Sequence, residues 1–587
     1  MSVTTGWRWP IRTSPGSLYF DFDTVPHSRV MTRFKPFLIT FVSVLFFYLA
    51  LPPVSWTWLC FIPPIFWVFL IRGEYAAPSS KKEWPQRGFF GRGKQRLGAL
   101  FGSFYGQIFI ADFLFWGGAL VWLPSPHPAI WAGWAPLSVV MALYFLLYIA
   151  AARRFLRRWH FPLFLASPLA WVGMEWLRKH ILTGFTFCSL EHALYLHPVM
   201  IQTAEWGGEY TVGMLIVLIG TVWGIAIESV LTSPRKGKKG ILSLLAGVLL
   251  LSGMVVYGHC RINQIDRICL AAKEGTEPPL KIALLQDSTY YHFPIPSETT
   301  IAVHEHYTAL TKEAAKEKPD LIVWPEGTFA YPYFAFEPGA QIPTPKGTLP
   351  LTPEETREQI KKVEETQAAQ IDPWIEKTGS PVILGLIATV YGPEKKRVYN
   401  SALYCAAKTP PLRYDKRARV VFGEFIPFME YLPENFPLKT LCEPISAGQR
   451  LGLVPVDSHY QALVSICFES CYARFVRSQL DALKRETTPV DPDFLINSSS
   501  DAWFFGNSEN EFHNSTYPFR AVETRKYYLV ASHGGVSLGL TPAGKIFTHG
   551  TKGNEEVVYA NFTPVKIRPF LNGKGLWFGV ACAWLLL

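Results

Sequence analysis

The sequence predicts a multi-pass α-helical membrane domain followed by an exported layered α/β domain, and three observations lead there. Its 587 residues are 49% hydrophobic and 15% aromatic, too apolar for an ordinary soluble enzyme of this length. Basic charge is confined to one half: residues 1–260 carry a net +12 and residues 261–587 a net −2. Within the first half the lysines and arginines fall in short clusters between uncharged apolar runs, the pattern of membrane loops and not of a nucleic-acid surface. Nucleic acid is therefore excluded as a partner. The nine cysteines show no Cys-x-x-Cys pair and no zinc-like spacing, so neither a disulfide scaffold nor a metal site is expected.

Residues 1–35 form a polar extension with Arg8, Arg12, Arg29, Arg33 and Lys35 and without a cleavage-site pattern. Residues 36–260 are expected to hold seven spans. Pro36 to Ile71 contains no charge and is divided by Pro52-Pro53 into a helical hairpin. After a loop rich in lysine and arginine, a third span runs from about Leu97 to Leu120 with Asp112 as its one charge, a functional candidate by virtue of its depth. Trp122 to Trp134 reads as an interfacial loop of proline and tryptophan. A fourth span ends near Ala152, closed by Arg153, Arg154, Arg157 and Arg158. The fifth, about Phe161 to Met174, is interrupted by prolines, and Glu175-Trp176-Leu177-Arg178 and Gly184-Phe185 are expected in the loop that follows it to about Glu209. Tyr210 to Ile227 and Gly240 to Gly258 are the sixth and seventh spans. Placing every short basic loop in the cytoplasm makes the crossings alternate and exports everything after Gly258.

Residues 278–563 alternate β-rich and helical runs, the signature of a layered α/β domain. Lys281 to Gln286, Leu321 to Trp324, Val382 to Leu386, Ala402 to Tyr404, Leu463 to Cys467, Phe494 to Asn497 and Tyr528 to Ala531 read as strands. Helices are expected at 300–318, 353–378, 472–485 and 509–525, with a Pro/Gly-rich loop at 332–352. Residues 570–587 form an apolar tail, a possible eighth segment too short to span unaided.

The chemistry centres on Ala462 to Ser470, an apolar strand that ends in Cys467 beside Glu469 where a helix should start. A thiol at such a turn is exposed at a sheet end, and backbone N–H groups at the helix start can bind developing negative charge. It needs a proton acceptor and a cation. Glu326 ends the strand-like Leu321-Ile322-Val323-Trp324-Pro325, and Lys416 follows Tyr414-Asp415 ahead of Phe422-Gly423-Glu424. Singly these signals are weak, because an isolated buried cysteine is more often a small hydrophobe. Cys467 and Cys471 could also form a local redox pair.

In this order, and on this topology, the residues resemble the apolipoprotein N-acyltransferases, the integral membrane members of the nitrilase, or carbon-nitrogen hydrolase, superfamily. The likeness extends to Asp501-Ala502-Trp503-Phe504 and Arg520-Ala521-Val522-Glu523. It implies a nitrilase-like αββα sandwich with Glu326 as general base, Lys416 as oxyanion stabiliser and Cys467 as the acylated nucleophile. The backbone N–H of Phe468 would assist, and Glu424 and Glu469 would orient the lysine and the substrate amine. The family pattern has tyrosine where Phe468 stands and proline where Val421 stands. The implied partners are a glycerophospholipid acyl donor, a diacylglyceryl lipoprotein acceptor and membrane lipids, with no metal and no cofactor. The implied location is the bacterial inner membrane, with the catalytic domain on the periplasmic side. A membrane-anchored amidase using the same triad and a catalytically inactive lipid-binding or transport protein are the alternatives.

Overall fold

A computed structural model describes residues 35–73, 102–181, 183–232, 237–276, 278–342, 351–427, 429–431, 433, 444–570 and 577–587. The polar extension at 1–34, most of the first basic loop and residues 571–576 lie outside the described residues.

The amino half is helical. Helix Lys35–Ala50 stops at the Pro52-Pro53 break, and helix Pro63–Arg72 opens on a proline, where a missing N–H removes no helical bond. Helices Phe104–Ala119, Trp131–Arg157, Leu163–Arg178, Glu209–Thr232 and Gly237–Glu274 follow. Among the described residues, three of these helices, the ones starting near Trp131, Glu209 and Gly237, are long and apolar enough to cross a membrane. Their shared core is aromatic: Trp67 stacks on Trp171 at 4.7 Å, and Tyr148 meets Trp171 edge-on at 5.2 Å. The tyrosine hydroxyl bonds Ser167 at 2.8 Å, which satisfies it inside the apolar core.

Two expectations are corrected here. Helix Leu163–Arg178 continues through Pro168, so Glu175-Trp176-Leu177-Arg178 is its last turn and not part of a loop. Packing against the neighbouring helices, together with the Glu175–Arg178 ion pair inside that turn, outweighs the bond lost at the proline. The last long helix runs unbroken past residue 260 to Glu274. A boundary at 260 therefore falls within one helix whose apolar run ends earlier than its hydrogen bonding.

The carboxyl half is a two-sheet sandwich. One sheet has the order β13-β1-β2-β4-β5-β6, built from Glu556–Phe562, Leu280–Gln286, Leu321–Val323, Val382–Tyr391, Lys396–Ala406 and Thr409–Asp415, with β3 (Tyr333–Phe336) beside β4. The other runs β12-β11-β10-β9-β8-β7, from Ile546–His549, Leu538–Leu540, Tyr527–His533, Phe494–Ser500, Gln461–Ile466 and Leu453–Pro455. Period-two alternation sorts the side chains. Ile282, Leu284 and Val323 meet Val464, Ile496 and Leu529 between the sheets. Ala283, Leu285 and Ile322 face helices Ser297–Lys316 and Pro353–Thr378 on one outside, and Leu463, Leu495 and Val530 face helices Ala473–Leu483 and Tyr517–Thr524 on the other. The result is the αββα layering that the resemblance implies.

Strand β3 lies inside the segment expected to be loop, and the helix expected at 509–525 is two, Ser508–Asn514 and Tyr517–Thr524. Pro518 accounts for the second: it sits at the start of the later helix and cannot extend the earlier one. Helix Trp577–Trp584 has eight residues and lies on Leu163–Arg178, where a Cβ on Gly173 would meet the Cys582 carbonyl at 2.7 Å. At about 1.5 Å per residue, eight residues do not cross a bilayer.

Candidate active site

Glu326, Lys416 and Cys467 each lie just beyond the carboxyl end of a strand: β2, β6 and β8. Two glycines make the approach possible. A Cβ at Gly385 of β4 would fall 2.0 Å from the Pro325 carbonyl, and one at Gly448 would fall 2.0 Å from the Asp415 carbonyl. The backbones carrying the carboxylate and the lysine could not run where they do behind any other residue.

The charged groups converge. Lys416 Nζ donates to Glu326 Oε1 at 3.0 Å and to Glu424 Oε1 at 2.8 Å, and the lysine is 1% exposed. Asn400 Nδ2 donates to the same two oxygens, at 2.6 and 3.1 Å. Glu326 Oε2 accepts the backbone N–H of Ser500 at 3.1 Å, and Glu424 Oε2 accepts that of Val420 at 2.8 Å. Burial alone would favour a neutral amine, but the carboxylates of Glu326 and Glu424 outweigh it and hold Lys416 well above the usual lysine range.

Cys467 has φ of +50°, a left-handed conformation that is costly for a residue with a side chain. Its turn is pinned on three sides. Its carbonyl accepts from Ser470 Oγ at 2.9 Å and Asn497 Nδ2 at 3.2 Å. Glu469 closes the third side. Burial pushes the thiol up, the charge of Glu326 adds to that, and the cations of Lys416 and His513 oppose it. The net result is a thiol well above its ordinary range, which must lose its proton to a base before it can attack. Cys467 and Cys471 are both free thiols.

The role given to Glu469 needs correction. The residue is fully buried and its carboxylate already accepts four hydrogen bonds: the N–H groups of Arg417 at 2.6 Å, Ala418 at 2.9 Å and Ile466 at 2.9 Å, and the Tyr414 hydroxyl at 2.7 Å. No lone pair remains for a substrate amine. Glu469 instead ties the backbone after Lys416 to the strand end before Cys467, holding cation and thiol in register. Glu469→Ala strands those donors and should destabilise the fold by about 3–5 kcal/mol, read as a lower thermal midpoint in detergent; an unchanged midpoint would refute the bracing role. Glu424 accepts three hydrogen bonds and its side chain is 14% exposed, so unlike Glu469 it is not saturated.

Sequence reasoning missed Asn400, Asn497 and the buried pair His513–Asp501. His513 Nδ1 is 2.9 Å from Asp501 Oδ1, and Nε2 is 3.3 Å from Ser470 Oγ. Asp501 Oδ2 also accepts from Asn510 Nδ2 and Ser532 Oγ, and these contacts with the His513 cation keep its carboxyl low despite burial. Asp501 belonged to a quoted motif, whereas His513 had no local signal. Ligand atoms of Asp501, Glu509 and His513 lie within 4.8 Å of one another. Burial and the Asp501 charge hold the Glu509 carboxyl well above its usual range. Asp112 is buried among the helices of the amino half, outside this cluster.

The helical half meets the residue after the thiol through rings. Phe468, the residue after Cys467, meets Phe187 edge-on at 5.1 Å; Phe187 meets Trp122 at 5.9 Å, and Trp122 meets Phe504 at 5.2 Å. Arg178 fixes this loop by donating to the carbonyls of Phe185 at 3.1 Å and Phe187 at 2.8 Å while paired with Glu175. Arg520 and Glu523 dock the α/β domain: Arg520 pairs with Glu209 at 2.9 Å, and Glu523 accepts the Glu209 N–H at 2.9 Å.

Residues 94–222 match the family model for the apolipoprotein N-acyltransferase N-terminal domain, and residues 281–570 match that for carbon-nitrogen hydrolases. The chain is 27% identical over 493 residues to an apolipoprotein N-acyltransferase of Rhodopirellula baltica, covering 77% of this chain and 83% of the relative. It is 26% identical over 502 residues to an apolipoprotein N-acyltransferase of Geobacter metallireducens, covering 84% and 86%. With both halves matched in order, the chain belongs to the apolipoprotein N-acyltransferase family, a membrane branch of the carbon-nitrogen hydrolase superfamily, and is an acyltransferase.

Proposed function

We propose that the chain transfers one acyl chain from a glycerophospholipid, through a thioester on Cys467, to the α-amine of a diacylglyceryl-cysteine at the start of a lipoprotein. In the first half-reaction Glu326 takes the thiol proton and the sulfur attacks the ester carbonyl. Lys416 and the backbone N–H of Phe468 stabilise the oxyanion. The ester C–O bond breaks, and the lysophospholipid leaves with the proton from Glu326. In the second, the amine attacks the thioester, Glu326 accepts its proton, and the thiol is regenerated as the amide forms. Glu424 is the carboxylate we assign to orienting the lysine and the incoming amine.

The observation that carries this reading over a soluble-amide hydrolase is the chain of rings from Trp122 through Phe187 to Phe468, which packs the residue following Cys467 against the apolar helices. A soluble amide needs no thiol turn seated on a membrane helix bundle, whereas a lipid donor does. The distribution of lysine and arginine supports a bacterial inner membrane location with the α/β domain on the periplasmic side. Mixing the protein with phospholipid and a diacylated lipopeptide should add the mass of one acyl chain to the peptide. A peptide of unchanged mass, alongside hydrolysis of a soluble amide, would favour the amidase.

A further inference from the structure

A cavity of about 350 Å³ opens where the apolar helices meet the α/β domain. Trp176 and Lys179 at the end of helix Leu163–Arg178 and Tyr210 at the start of helix Glu209–Thr232 form one wall, with Trp577 of the carboxyl-terminal helix beside them. The opposite wall belongs to the α/β domain and carries Arg474, Arg477 and Arg485. None of Glu326, Lys416 and Cys467 lines it.

The charges of this cavity do not cancel. Lys179 is already neutralised, since its Nζ lies 2.7 Å from both Glu191 and Glu209. Arg477 pairs with Asp481 at 3.1 Å. Arg474 donates to the Thr183 carbonyl at 3.2 Å and lies over the Tyr472 ring, contacts that position its guanidinium without neutralising it. Arg485 is exposed, and among the described residues no carboxylate is recorded against it. Two arginine charges thus face a cavity walled by tryptophan and tyrosine at the level where the apolar helices begin and end. Aromatic side chains at that level mark the headgroup layer of a bilayer, and guanidinium groups suit the oxygens of a phosphate.

We propose that this cavity binds the phosphate of an anionic phospholipid, held as a resident lipid at the junction of the two halves and distinct from the donor that acylates Cys467. The inference rests on the membrane reading given above. The headgroup lies along the wall that carries Arg474 and Arg485, and the glycerol and acyl chains run past Trp176 and Trp577 into the membrane. The bound lipid links the carboxyl-terminal helix to helix Ala473–Leu483, which follows directly on the thiol turn.

The test separates lipid retention from acyl loading. Retention is read by native mass spectrometry on full-length protein carrying Cys467→Ala, exchanged into micelles containing phosphatidylglycerol or phosphatidylcholine. Phosphatidylglycerol should be retained about 10-fold better, and Arg474→Gln with Arg485→Glu should abolish the preference. Arg485→Glu alone, at an exposed position with no packing to disturb, should cut it by about 3-fold. With Cys467 intact, acyl loading from phosphatidylethanolamine should be unchanged by these substitutions. Full preference surviving in the double variant overturns the proposal, as does complete displacement of the lipid by millimolar inorganic phosphate, which would mark a site for a soluble anion. Acyl loading that falls together with retention would make this the donor's own seat and overturn the distinction. A protein that never loads acyl chains at all would instead contradict the proposed function.

Discussion

Replacing Cys467 with alanine removes the acyl-enzyme and turnover together, with a loss of at least about 10⁴-fold, while the protein keeps its thermal midpoint. Both halves of that outcome follow from the turn. The sulfur is the strongest nucleophile of this strand end and is the atom to which the acyl group is assigned. The backbone, in contrast, is held by bonds that do not involve the sulfur: Ser470 Oγ and Asn497 Nδ2 to the Cys467 carbonyl, and Glu469 to the Ile466 N–H. Intact-protein mass after incubation with phospholipid reads the result directly. An acyl adduct persisting on the alanine variant would assign the nucleophile elsewhere.

Glu326→Gln and Lys416→Met should each reduce transfer by about 10²–10⁴-fold, yet move the thiol in opposite directions. The Glu326 charge pushes the thiol up, so its removal brings the thiol pKa down; the Lys416 charge pulls the thiol down, so its loss sends the pKa further up. The rate of alkylation by iodoacetamide rises with pH as the thiol ionises. Its midpoint in the wild type should lie above the ordinary thiol range, lower in Glu326→Gln and higher in Lys416→Met. A thiol that is easier to ionise but no longer acylates is what loss of a proton acceptor produces. Lys416→Met also leaves the Glu326 and Glu424 carboxylates facing each other without the cation between them, and should lower stability by about 3–5 kcal/mol. Shifts in the same direction in both variants would separate the thiol from these charges.

Much of this site was legible because its residues sit at the ends of buried apolar strands, where a charged residue stands out against its neighbours. Glu326 and Cys467 follow β2 and β8, central strands with continuous hydrophobic runs. Lys416 was found from its neighbours instead, since β6 contains Pro410 and Pro411 and does not read as a strand. Its place at the sheet edge, paired only with β5, is what tolerates those prolines. The same holds for β7, another edge strand, which ends in Pro455. Asn400 and His513 lie far in sequence from the groups they support, and only the pairing of β4 with β5 and the packing of helix Ser508–Asn514 bring them in. The role of Glu469 was misread for a related reason. Its position after the thiol was visible, but two of the three N–H groups that saturate it, those of Arg417 and Ala418, come from the segment following β6. In the helical half, hydropathy located the apolar runs but not the helix ends: the ion pair of Glu175 with Arg178 keeps helical a turn that charge alone assigns to a loop.

The claim on which the rest depends is that one thiol carries the acyl group between two separate substrates. A half-reaction tests it most directly. Wild-type protein is incubated with phospholipid alone, freed of unreacted lipid, and then given the diacylated lipopeptide. The account predicts close to one triacylated peptide per enzyme molecule, with the acyl mass leaving a peptide that contains Cys467. Product that forms only when both substrates are present together would contradict it.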